Sequence, residues 1–386
     1  MKLVYISQEP PYPPYLDGGR LIHYQYTKNL SRKMGNKFEY HYFFDPKEGD
    51  YLNEVRKEVS PNAKAHPLTL GQMKTNLAKY LLGIPIKNLI KPNLDKETVL
   101  VIDGFGLAWL GGAIKHNPTI YFPHDSFSLF YQSLASGTKN LLGKWLYLLI
   151  GVGVSAIERK ASHLYEKILL VSLADAKVFS RFGGKAAVLT NGVDSDFFKL
   201  SKKTGLPHPP RVVFSGVMDY QPNVDAVVWF CYKVLPLIQK NVPSTEFFVV
   251  GRRPTPKVRA LSRTKGVKVT GEVEEIQSYL QQSDVFVAPM VSGAGIKNKV
   301  LQALSMERPI VATLLGRSGI ENTPAIVDAV SAEEFAGEVV RLLQSPARRS
   351  KLGAVGRKFV LKRYSWDHST SALVKIARET LEKLSS

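Results

Sequence analysis

The chain has 386 residues, more than one ordinary α/β domain needs, and its 44% of hydrophobic and 22% of charged residues exclude a disordered or fibrous protein. An excess of Lys and Arg (52) over Asp and Glu (33) gives a formal net charge of +19, which suits an anionic partner such as nucleic acid, a membrane surface or a phosphate-bearing ligand. Cys231 is the single cysteine, which excludes an intramolecular disulfide and a cysteine-based zinc site and favours a reducing, cytoplasmic location.

Short β-branched runs alternate with amphipathic helical runs along the chain. Prolines follow the apolar residues 1–7 at once, so this segment predicts a β-strand rather than a secretion signal. The strands predicted in the first half are Lys2–Ser7, Glu39–Phe44, Val99–Asp103, Thr119–Phe122, Lys167–Val171 and Ala187–Leu189. Those in the second half are Arg211–Ser215, Glu246–Val250, Val267–Thr270, Val285–Ala288, Ile310–Thr313 and Ala325–Val327. Strands that are apolar on both faces and separated by helices predict parallel sheets covered on both sides.

A polar stretch rich in Lys, Pro and Gly, Asp194–Pro210, separates the two sets of strands. We therefore predict two Rossmann-like, doubly wound α/β domains, residues 1–195 and 196–365. A final helix, about residues 366–386, is expected to pack back on the first domain. Ligands of open parallel sheets bind beyond the carboxyl ends of the strands, so we expect the two sheets to face a cleft with one ligand on each side.

Two stretches suit a lipid surface. Leu141–Ile157 is the most apolar, but Lys144 and three glycines interrupt it and it falls short of the roughly 20 apolar residues that a membrane span needs. It predicts a buried or interfacial helix. Residues 71–92 carry four lysines among Leu and Ile and no acid, which fits either an ordinary amphipathic surface helix or one that lies on an anionic membrane.

A Gly-rich loop follows the predicted strand Val285–Ala288 and precedes a predicted helix. Its small residues allow a ligand to approach the backbone, and free amides at a helix start favour an anion such as a diphosphate. Lys297 or Lys299 could add a charge, while Asn298 and Gln302, four residues apart, could both reach a sugar or ribose hydroxyl. A plain βα turn is the alternative. The segment comprises Gly293, Ala294, Gly295, Ile296, Lys297, Asn298 and Lys299.

The first half has two matching candidates. Gly18 and Gly19 lie between the first strand and a predicted helix, Leu21–Lys33, where a phosphate or an acceptor could approach, although a simple turn fits as well. His124 follows the strand Thr119–Phe122, so it is placed to face a cleft, where it could donate a hydrogen bond or carry a proton near neutral pH. Asp125 could orient this histidine or bind a hydroxyl; a structural His-Asp cap is the alternative.

Further loop residues are candidates for the same cleft. Asn191 belongs to an Asn-Gly turn between the halves and is expected in a hinge, and Asp219 and Asn223 follow the first strand of the second half. Arg252 could face phosphate, and a nucleotide base could rest on backbone groups at Glu272 and Val273. The last three segments, taken singly, fit solvated loops equally well. No nucleic-acid-binding motif and no paired-Asp metal motif is present, so we expect neither nucleic acid nor a metal.

Together these motifs resemble the retaining glycosyltransferases of the GT-B fold, glycosyltransferase family 4. The strongest matches are the segments 293–301 and 308–313, and Tyr364-Ser365-Trp366 before the last helix also fits. Residues 218–226 resemble a subgroup associated with exopolysaccharide and exosortase systems. The resemblance spans nearly the whole chain and is loosest at residues 45–118.

The resemblance implies that the second domain binds a nucleotide sugar, of the UDP or GDP type, and the first domain binds the acceptor. It implies transfer of a hexose with retention, without metal or cofactor, to a glycan or lipid-linked glycan in cell-surface polysaccharide synthesis, in the cytoplasm or at the inner face of the membrane. His124 would then lie beside the reacting sugar carbon. Gln302 stands where the family usually has an acidic ribose ligand, and Val217 where an Arg is frequent. A nucleotide-sugar epimerase and a non-catalytic nucleotide-sugar-binding partner are the alternatives.

Overall fold

A computed structural model describes residues 1–13, 18–87, 89–116, 118–138, 140–201, 208–293 and 296–385. The chain divides into two compact units. The first unit consists of Met1–Asn191 together with Trp366–Ser386, and the second of Gly192–Ser365. The predicted division ended the first domain at residue 195 and likewise assigned the final helix to it.

The first unit is built on a parallel sheet of seven described strands in the order β3-β2-β1-β4-β5-β6-β7. Helices in the connections cover the sheet, as expected for parallel strands. The strands are β1 (Lys2–Ser7), β2 (Phe38–Phe44), β3 (Lys64–Pro67), β4 (Thr98–Asp103), β5 (Thr119–His124), β6 (Lys167–Leu170) and β7 (Ala186–Val188). The helices are α1 (Gly18–Met34), α2 (Leu52–Glu58), α3 (Leu70–Leu82), α4 (Leu110–Ile114), α5 (Phe127–Gly137), α6 (Leu141–Leu164) and α7 (Leu173–Arg181), and α15 (Trp366–Ser385) returns from the end of the chain.

Burial explains which of these strands the sequence predicted. β4 is buried throughout, and β1 is buried from its second residue onward, so both are continuous apolar runs. β3 was not predicted, because it is a four-residue edge strand (KAHP) whose side chains are exposed or half-buried. Short polar strands that contain Pro are typical of sheet edges.

The second unit has a parallel sheet of six described strands in the order β10-β9-β8-β11-β12-β13. The strands are β8 (Arg211–Ser215), β9 (Glu246–Val250), β10 (Val267–Gly271), β11 (Val285–Ala288), β12 (Ile310–Ala312) and β13 (Ile326–Asp328). The helices are α8 (Gln221–Trp229), α9 (Leu235–Asn241), α10 (Pro256–Ala260), α11 (Ile276–Gln281), α12 (Asn298–Ser305), α13 (Ala332–Leu343) and α14 (Pro346–Arg363). Two parallel sheets with helices, one in each unit, confirm the predicted fold class of two Rossmann-like domains.

The final helix α15 packs on α1 of the first unit. Trp366 lies edge-on against Tyr26, with 5.4 Å between ring centroids, and the Lys33 ammonium is 3.2 Å from the Asp367 carboxylate. Leu373 and Ala377 of α15 are fully buried. The first unit is therefore completed by residues that follow the whole second unit in the sequence.

Two segments add detail to the predicted pattern. Residues 141–157 were predicted to form a buried or an interfacial helix; the first half of α6 exposes its large apolar side chains, whereas Ile157 and Ala161 in its second half lie in the core. In the basic stretch 71–92 the helix ends at Leu82, because Gly83 adopts a left-handed conformation (φ 72°) that caps it. The lysines beyond Gly83 therefore lie outside the helix.

Candidate functional site

The carboxyl edge of the first sheet brings together two histidines and an aspartate. β4 lies between β1 and β5, and it ends at Asp103, while β5 ends at His124. His23 lies on α1, the helix that follows β1. Asp103 is fully buried and His23 is 1% exposed. Parallel strands end at the same edge of a sheet, so the fold places these side chains next to one another although they are far apart in the sequence.

Asp103 is the centre of a hydrogen-bond network. Its Oδ1 atom lies 2.5 Å from His124 Nε2, and its Oδ2 atom lies 2.7 Å from His23 Nδ1. The Tyr5 hydroxyl donates a further hydrogen bond to Oδ2. The other nitrogen of His23, Nε2, is 3.4 Å from the Glu9 carboxylate. The carboxylate that the His124 ring binds is thus Asp103, whereas Asp125 was the residue predicted to orient it.

The charges of this network support one another. Burial by itself opposes ionisation of Asp103, but His124 and His23 outweigh it and hold the pKa of this carboxyl well below its usual range. Burial likewise opposes a charge on His23, yet Asp103 and Glu9 raise the pKa of His23 to about 10. The pKa of Glu9 is lowered, because contact with His23 outweighs burial. At neutral pH Asp103 is therefore ionised and His23 is protonated.

The backbone of β5 is bent to aim His124 at Asp103. His124 has a φ of 70°, in the left-handed region that is uncommon for residues other than Gly. The pairing of β5 with β6 shifts register between Tyr121 and His124, and the His124 carbonyl still accepts a hydrogen bond from Val171 N at 2.8 Å. Unusual backbone at the end of a strand is typical of a functional side chain held in a required direction.

The contact with Asp103 fixes which nitrogen of His124 carries a proton. An ionised carboxylate accepts only, so Nε2 is the protonated atom. The other nitrogen, Nδ1, is buried and has no hydrogen-bond partner among the described residues. The His124 side chain is 14% exposed. Nδ1 can therefore accept a hydrogen bond, or donate one when the ring is protonated.

His23, Asp103 and His124 are also the type of side chains that bind metals, and their ligand atoms lie within 4.8 Å of one another. The N–O distances of 2.5 and 2.7 Å are those of hydrogen bonds, and a metal ion would have to replace both. The geometry is that of a hydrogen-bonded His-Asp-His chain. The expected absence of a metal stays a prediction.

A second group of candidate residues lies at the carboxyl end of β8 in the second unit. Lys299 Nζ is 2.5 Å from Asn223 Oδ1 and 4.1 Å from the centroid of the Phe214 ring. Asn223 Nδ2 donates to the Val217 carbonyl at 2.9 Å. Gly216 has a φ of 158°, and a Cβ atom there would lie 2.7 Å from Asn223 Nδ2 and 2.9 Å from Lys299 Nζ. A side chain at position 216 would therefore displace Lys299 and Asn223 from these contacts.

Lys299 is an ammonium group without a carboxylate partner among the described residues. Burial, with a smaller contribution from Lys297, lowers the pKa of Lys299 well below its usual range. An amide oxygen and an aromatic face compensate a buried charge less well than a carboxylate does. An anionic ligand at this edge would therefore favour the charged form of Lys299.

The Gly-rich loop differs in detail from its prediction. The helix α12 begins at Asn298, so Ile296 and Lys297 precede it, and Lys297 is 8% exposed rather than projecting freely. Gly293 has a φ of 101°, and a Cβ atom there would lie 3.2 Å from Pro222. Ala294 and Gly295 lie outside the described residues. Of the expected buried stripe, Val300 and Leu304 are buried and Ile296 is half-buried.

The residues expected to bind ribose and base lie in different segments of the second unit. The Gln302 side chain is half-buried and makes no hydrogen bond with the described part of the chain. Arg252 is half-buried, and its carbonyl accepts a hydrogen bond from Met218 N. Glu272 is exposed, whereas Val273 packs against the core of this unit. The Val273 side chain thus has a structural role, which leaves only its backbone for a ligand.

Three further candidates are placed as follows. The Asp219 carboxylate is on the surface, 3.0 Å from the Arg253 guanidinium, so an ion pair already occupies it. Asn191 is 2% exposed and is the last residue of the continuous part of the first unit. Gly18 and Gly19 form the first turn of α1, because this helix begins at Gly18, three residues before its predicted start at Leu21. They were predicted to form the loop before it.

Sequence reasoning missed Asp103, His23, Tyr5 and Glu9 as functional residues. Asp103 was predicted as the last residue of a strand, but no role was given to it. A signal was present, since a carboxylate that ends an otherwise apolar strand (TVLVID) is unusual in a buried sheet. His23 lies on an amphipathic helix, where the sequence alone does not separate it from an ordinary half-buried histidine.

The sequence is similar to known proteins over part or nearly all of its length. Residues 209–345 match the sequence profile of the group described as Glycosyl transferases group 1. A Klebsiella pneumoniae protein described as an uncharacterized 44.6 kDa protein in the cps region is 19% identical over 397 residues, which cover 97% of this chain and 99% of that protein. A GDP-mannose-dependent alpha-(1-6)-phosphatidylinositol monomannoside mannosyltransferase of Mycobacterium tuberculosis is 28% identical over 234 residues, which cover 54% of this chain and 60% of that enzyme.

Solved structures share the fold over the whole chain. The structure of HepE from Anabaena in complex with UDP has a TM-score of 0.68 at 13% identity, and the match covers 98% of this chain and 100% of that one. A glycosyltransferase from Rickettsia africae has a TM-score of 0.62 at 12% identity, with 98% of each chain covered. At these identities the likeness shows the fold, which is that of two Rossmann-like domains.

Proposed function

Because the chain is a glycosyltransferase of the GT-B fold, we propose that it transfers a hexose, with retention and without a metal ion, from a nucleoside diphosphate sugar of the UDP or GDP type. The acceptor is a glycan or lipid-linked glycan of the cell surface. A relative named for the cps region and one named as a phosphatidylinositol monomannoside mannosyltransferase support this acceptor class. The reaction takes place in the cytoplasm.

The observation that carries the proposal is Lys299 at the carboxyl end of β8. The Lys299 side chain is half-buried, and its ammonium has an amide oxygen and an aromatic ring as partners and lacks a carboxylate among the described residues. A diphosphate would supply the missing negative charge. Lys299 lies within the stretch that matches the group 1 profile. We therefore assign the donor diphosphate to the second unit, where the positive end of the α12 dipole would share its charge.

In the proposed reaction the bond between the anomeric carbon and the diphosphate oxygen breaks, and the acceptor hydroxyl oxygen forms the new bond on the same face of the sugar. The acceptor hydroxyl proton passes to the departing diphosphate. Charge grows on the departing diphosphate, so its stabilisation by fixed amides and an ammonium is the main contribution to catalysis. Gln302 would bind the ribose as a neutral partner, weaker than the carboxylate that is usual at this position.

His124 of the first unit would act on the sugar through Nδ1. With Nε2 hydrogen-bonded to Asp103, the ring cannot turn without breaking a bond of 2.5 Å to a buried carboxylate. Nδ1 is therefore a fixed hydrogen-bond acceptor, suited to hold a sugar hydroxyl while positive charge develops on the anomeric carbon.

The first test is a thermal-shift screen with UDP, GDP and ADP and with their sugars. A ligand present at 100 times its Kd stabilises the folded chain by about 2.7 kcal/mol, so a specific nucleotide raises Tm clearly. Product analysis by NMR then gives the anomeric configuration, and assays with and without EDTA examine the need for a metal. Absence of any shift with all three diphosphates would refute the donor assignment.

The second test addresses His124. His124→Ala should lower turnover far more than it weakens nucleotide binding, because the imidazole would act on the sugar and not on the diphosphate. The matched control is His163→Ala, which removes an exposed histidine of the same unit. Unchanged turnover in His124→Ala would remove this residue from the mechanism.

A further inference from the structure

The first half of α6 carries an unusual density of exposed apolar side chains. Asn140 caps the helix by accepting a hydrogen bond from Leu142 N at 3.1 Å, so the helix starts in a defined way. Six large apolar side chains follow, each between 54% and 79% exposed: Leu141, Leu142, Trp145, Leu146, Leu149 and Val152. We call these six residues the α6 face. Folded domains rarely leave so many large apolar side chains of one helix in water.

The α6 face is a single stripe along the helix. At 100° per residue its members fall within an arc of about 140°. The opposite side of the helix, which includes Tyr147 and Gly151, packs on α5, where the Tyr147 ring lies 6.4 Å from that of Tyr131. The helix thus turns Tyr147 and Gly151 to the protein and the α6 face outward, where no described residue covers it.

The charged residues in the sequence around the α6 face are of one sign. The sequence has no Asp or Glu from Ser126 to Ile157, but it has Lys139 and Lys144. The next acid, Glu158, is turned inward, where it accepts hydrogen bonds from Ser126 Oγ at 3.0 Å and from Ser128 Oγ at 2.5 Å. An apolar stripe that has exposed Lys144 beside it, in a sequence segment without acids, is complementary to anionic lipid headgroups.

The second half of α6 keeps the helix on the protein. By length and composition α6 is the one helix of the described residues that could cross a membrane. However, Ile157 and Ala161 are packed in the core of the first unit, and Lys160 Nζ donates to the Tyr80 carbonyl. Crossing would require these residues to leave the core, so the helix suits the membrane interface, where Trp is enriched.

A groove extends from the α6 face over the surface of the first unit. It has a volume of about 400 Å³ and is lined by residues that include Gln132, Leu148, Val152, Arg159 and Phe182. Its walls are mainly apolar, and Arg159 is its one charged lining residue. This combination fits an acyl chain with its phosphate near the guanidinium.

We propose that the α6 face is a membrane-docking surface, which lies among the headgroups and upper acyl chains of a bilayer that contains anionic lipid. The leucines and Trp145 enter the apolar layer, and Lys144 contacts the headgroups. The docking brings the first unit to a lipid-linked acceptor, but it does not depend on the proposed sugar transfer.

The experiment is co-sedimentation of the full chain with vesicles of phosphatidylcholine, alone or mixed with phosphatidylglycerol. We expect binding to the mixed vesicles that weakens as salt is added. The double variant Trp145→Ser/Leu149→Ser keeps the net charge and should lose binding at least about tenfold, because two large apolar side chains no longer enter the bilayer. The control Val330→Ser/Leu361→Ser removes two exposed apolar residues of the second unit and should bind as the unchanged chain does.

Fluorescence reports the position of Trp145 directly. Trp109 and Trp366 are buried, Trp229 is half-buried and Trp145 is exposed, so a blue shift of emission on adding mixed vesicles reports this residue. Trp145→Phe keeps the apolar face, and therefore it should still bind while the blue shift is lost.

Several outcomes would overturn the proposal. Binding of the chain to neither kind of vesicle would refute it, and so would a double variant that binds as well as the unchanged chain does. Release of the bound chain by detergent alone would indicate a membrane-spanning helix instead. A dimer that Trp145→Ser/Leu149→Ser converts to a monomer would instead show that a second copy covers the face. Since no donor or acceptor is added, these results do not bear on the sugar transfer.

Discussion

Replacement of Asp103 by Asn would test the His-Asp-His network at its centre. Asp103 accepts hydrogen bonds from Tyr5 and His23 at Oδ2 and from His124 at Oδ1. The amide oxygen of Asn can replace Oδ2 and keep the first two donors. Its NH₂ group then faces His124 Nε2, which must become an acceptor, so we expect the proton to move to Nδ1.

The size of the effect follows from these contacts. The buried imidazolium of His23 would lose the nearer of its two carboxylate partners and keep only Glu9, and breaking a buried charge pair costs about 3–5 kcal/mol of folding free energy. In the proposed reaction Nδ1 of His124 would change from acceptor to donor. Where a carboxylate holds a catalytic imidazole in one tautomer, the corresponding amide substitution lowers kcat by about 10⁴.

Two measurements examine the substitution. Long-range ¹H–¹⁵N NMR of histidine-labelled protein identifies the protonated nitrogen of His124 without any substrate, and urea unfolding gives the loss of stability. Tyr5→Phe is the matched control, because it removes one hydrogen bond to Asp103 but leaves the carboxylate, so His124 should keep its proton on Nε2. If Asp103→Asn also kept the proton on Nε2, the assignment of roles within the network would be wrong.

Three more predictions concern other parts of the chain. The pKa of His23 is raised to about 10, so its contribution to stability is complete below about pH 6.5 and is lost as pH rises towards 10; urea unfolding should show this decline, and His23→Gln should flatten it. Lys299→Met should weaken nucleoside diphosphate binding in calorimetry. Because the pKa of Lys299 is lowered, the unchanged chain should also bind the diphosphate more weakly as pH rises. Equal affinity of the variant and the unchanged chain would remove Lys299 from the donor site. Gly251→Ala should destabilise the second unit by more than about 3 kcal/mol, since its Cβ would lie 1.7 Å from the Gly216 carbonyl oxygen, whereas Gly337→Ala, with open space on α13, should stabilise it by about 0.5–1 kcal/mol in the same unfolding assay.

The strands were predictable because burial on both faces leaves a continuous apolar run. β8, β9 and β11 coincide with their predicted ranges, and β1 does as well. The exposure of α6 was not predictable in the same way. An apolar helix has the same sequence pattern whether its leucines face a core or a membrane. The packing of Tyr147 against α5 shows which side of α6 is covered.

The candidate site was predictable at single positions but not as a network. His124 was found because it ends an apolar strand. Its partners at positions 23 and 103 depend on the strand order β1-β4-β5, which pattern reasoning did not supply. In the second unit Lys299 was one of several basic candidates, and its contacts with Asn223 and Phe214 distinguish it from the buried Lys297.

The position of α15 has a consequence for biosynthesis. Residues 366–385 leave the ribosome after all of the second unit, yet they fill a place on α1 of the first unit. While the chain grows, the side of Tyr26 that faces Trp366 therefore has no cover, and the early product offers an apolar patch to chaperones or to other nascent chains. A premature stop codon before Trp366 would leave the Tyr26 side of the first unit permanently uncovered, although every residue of the second unit would have been translated.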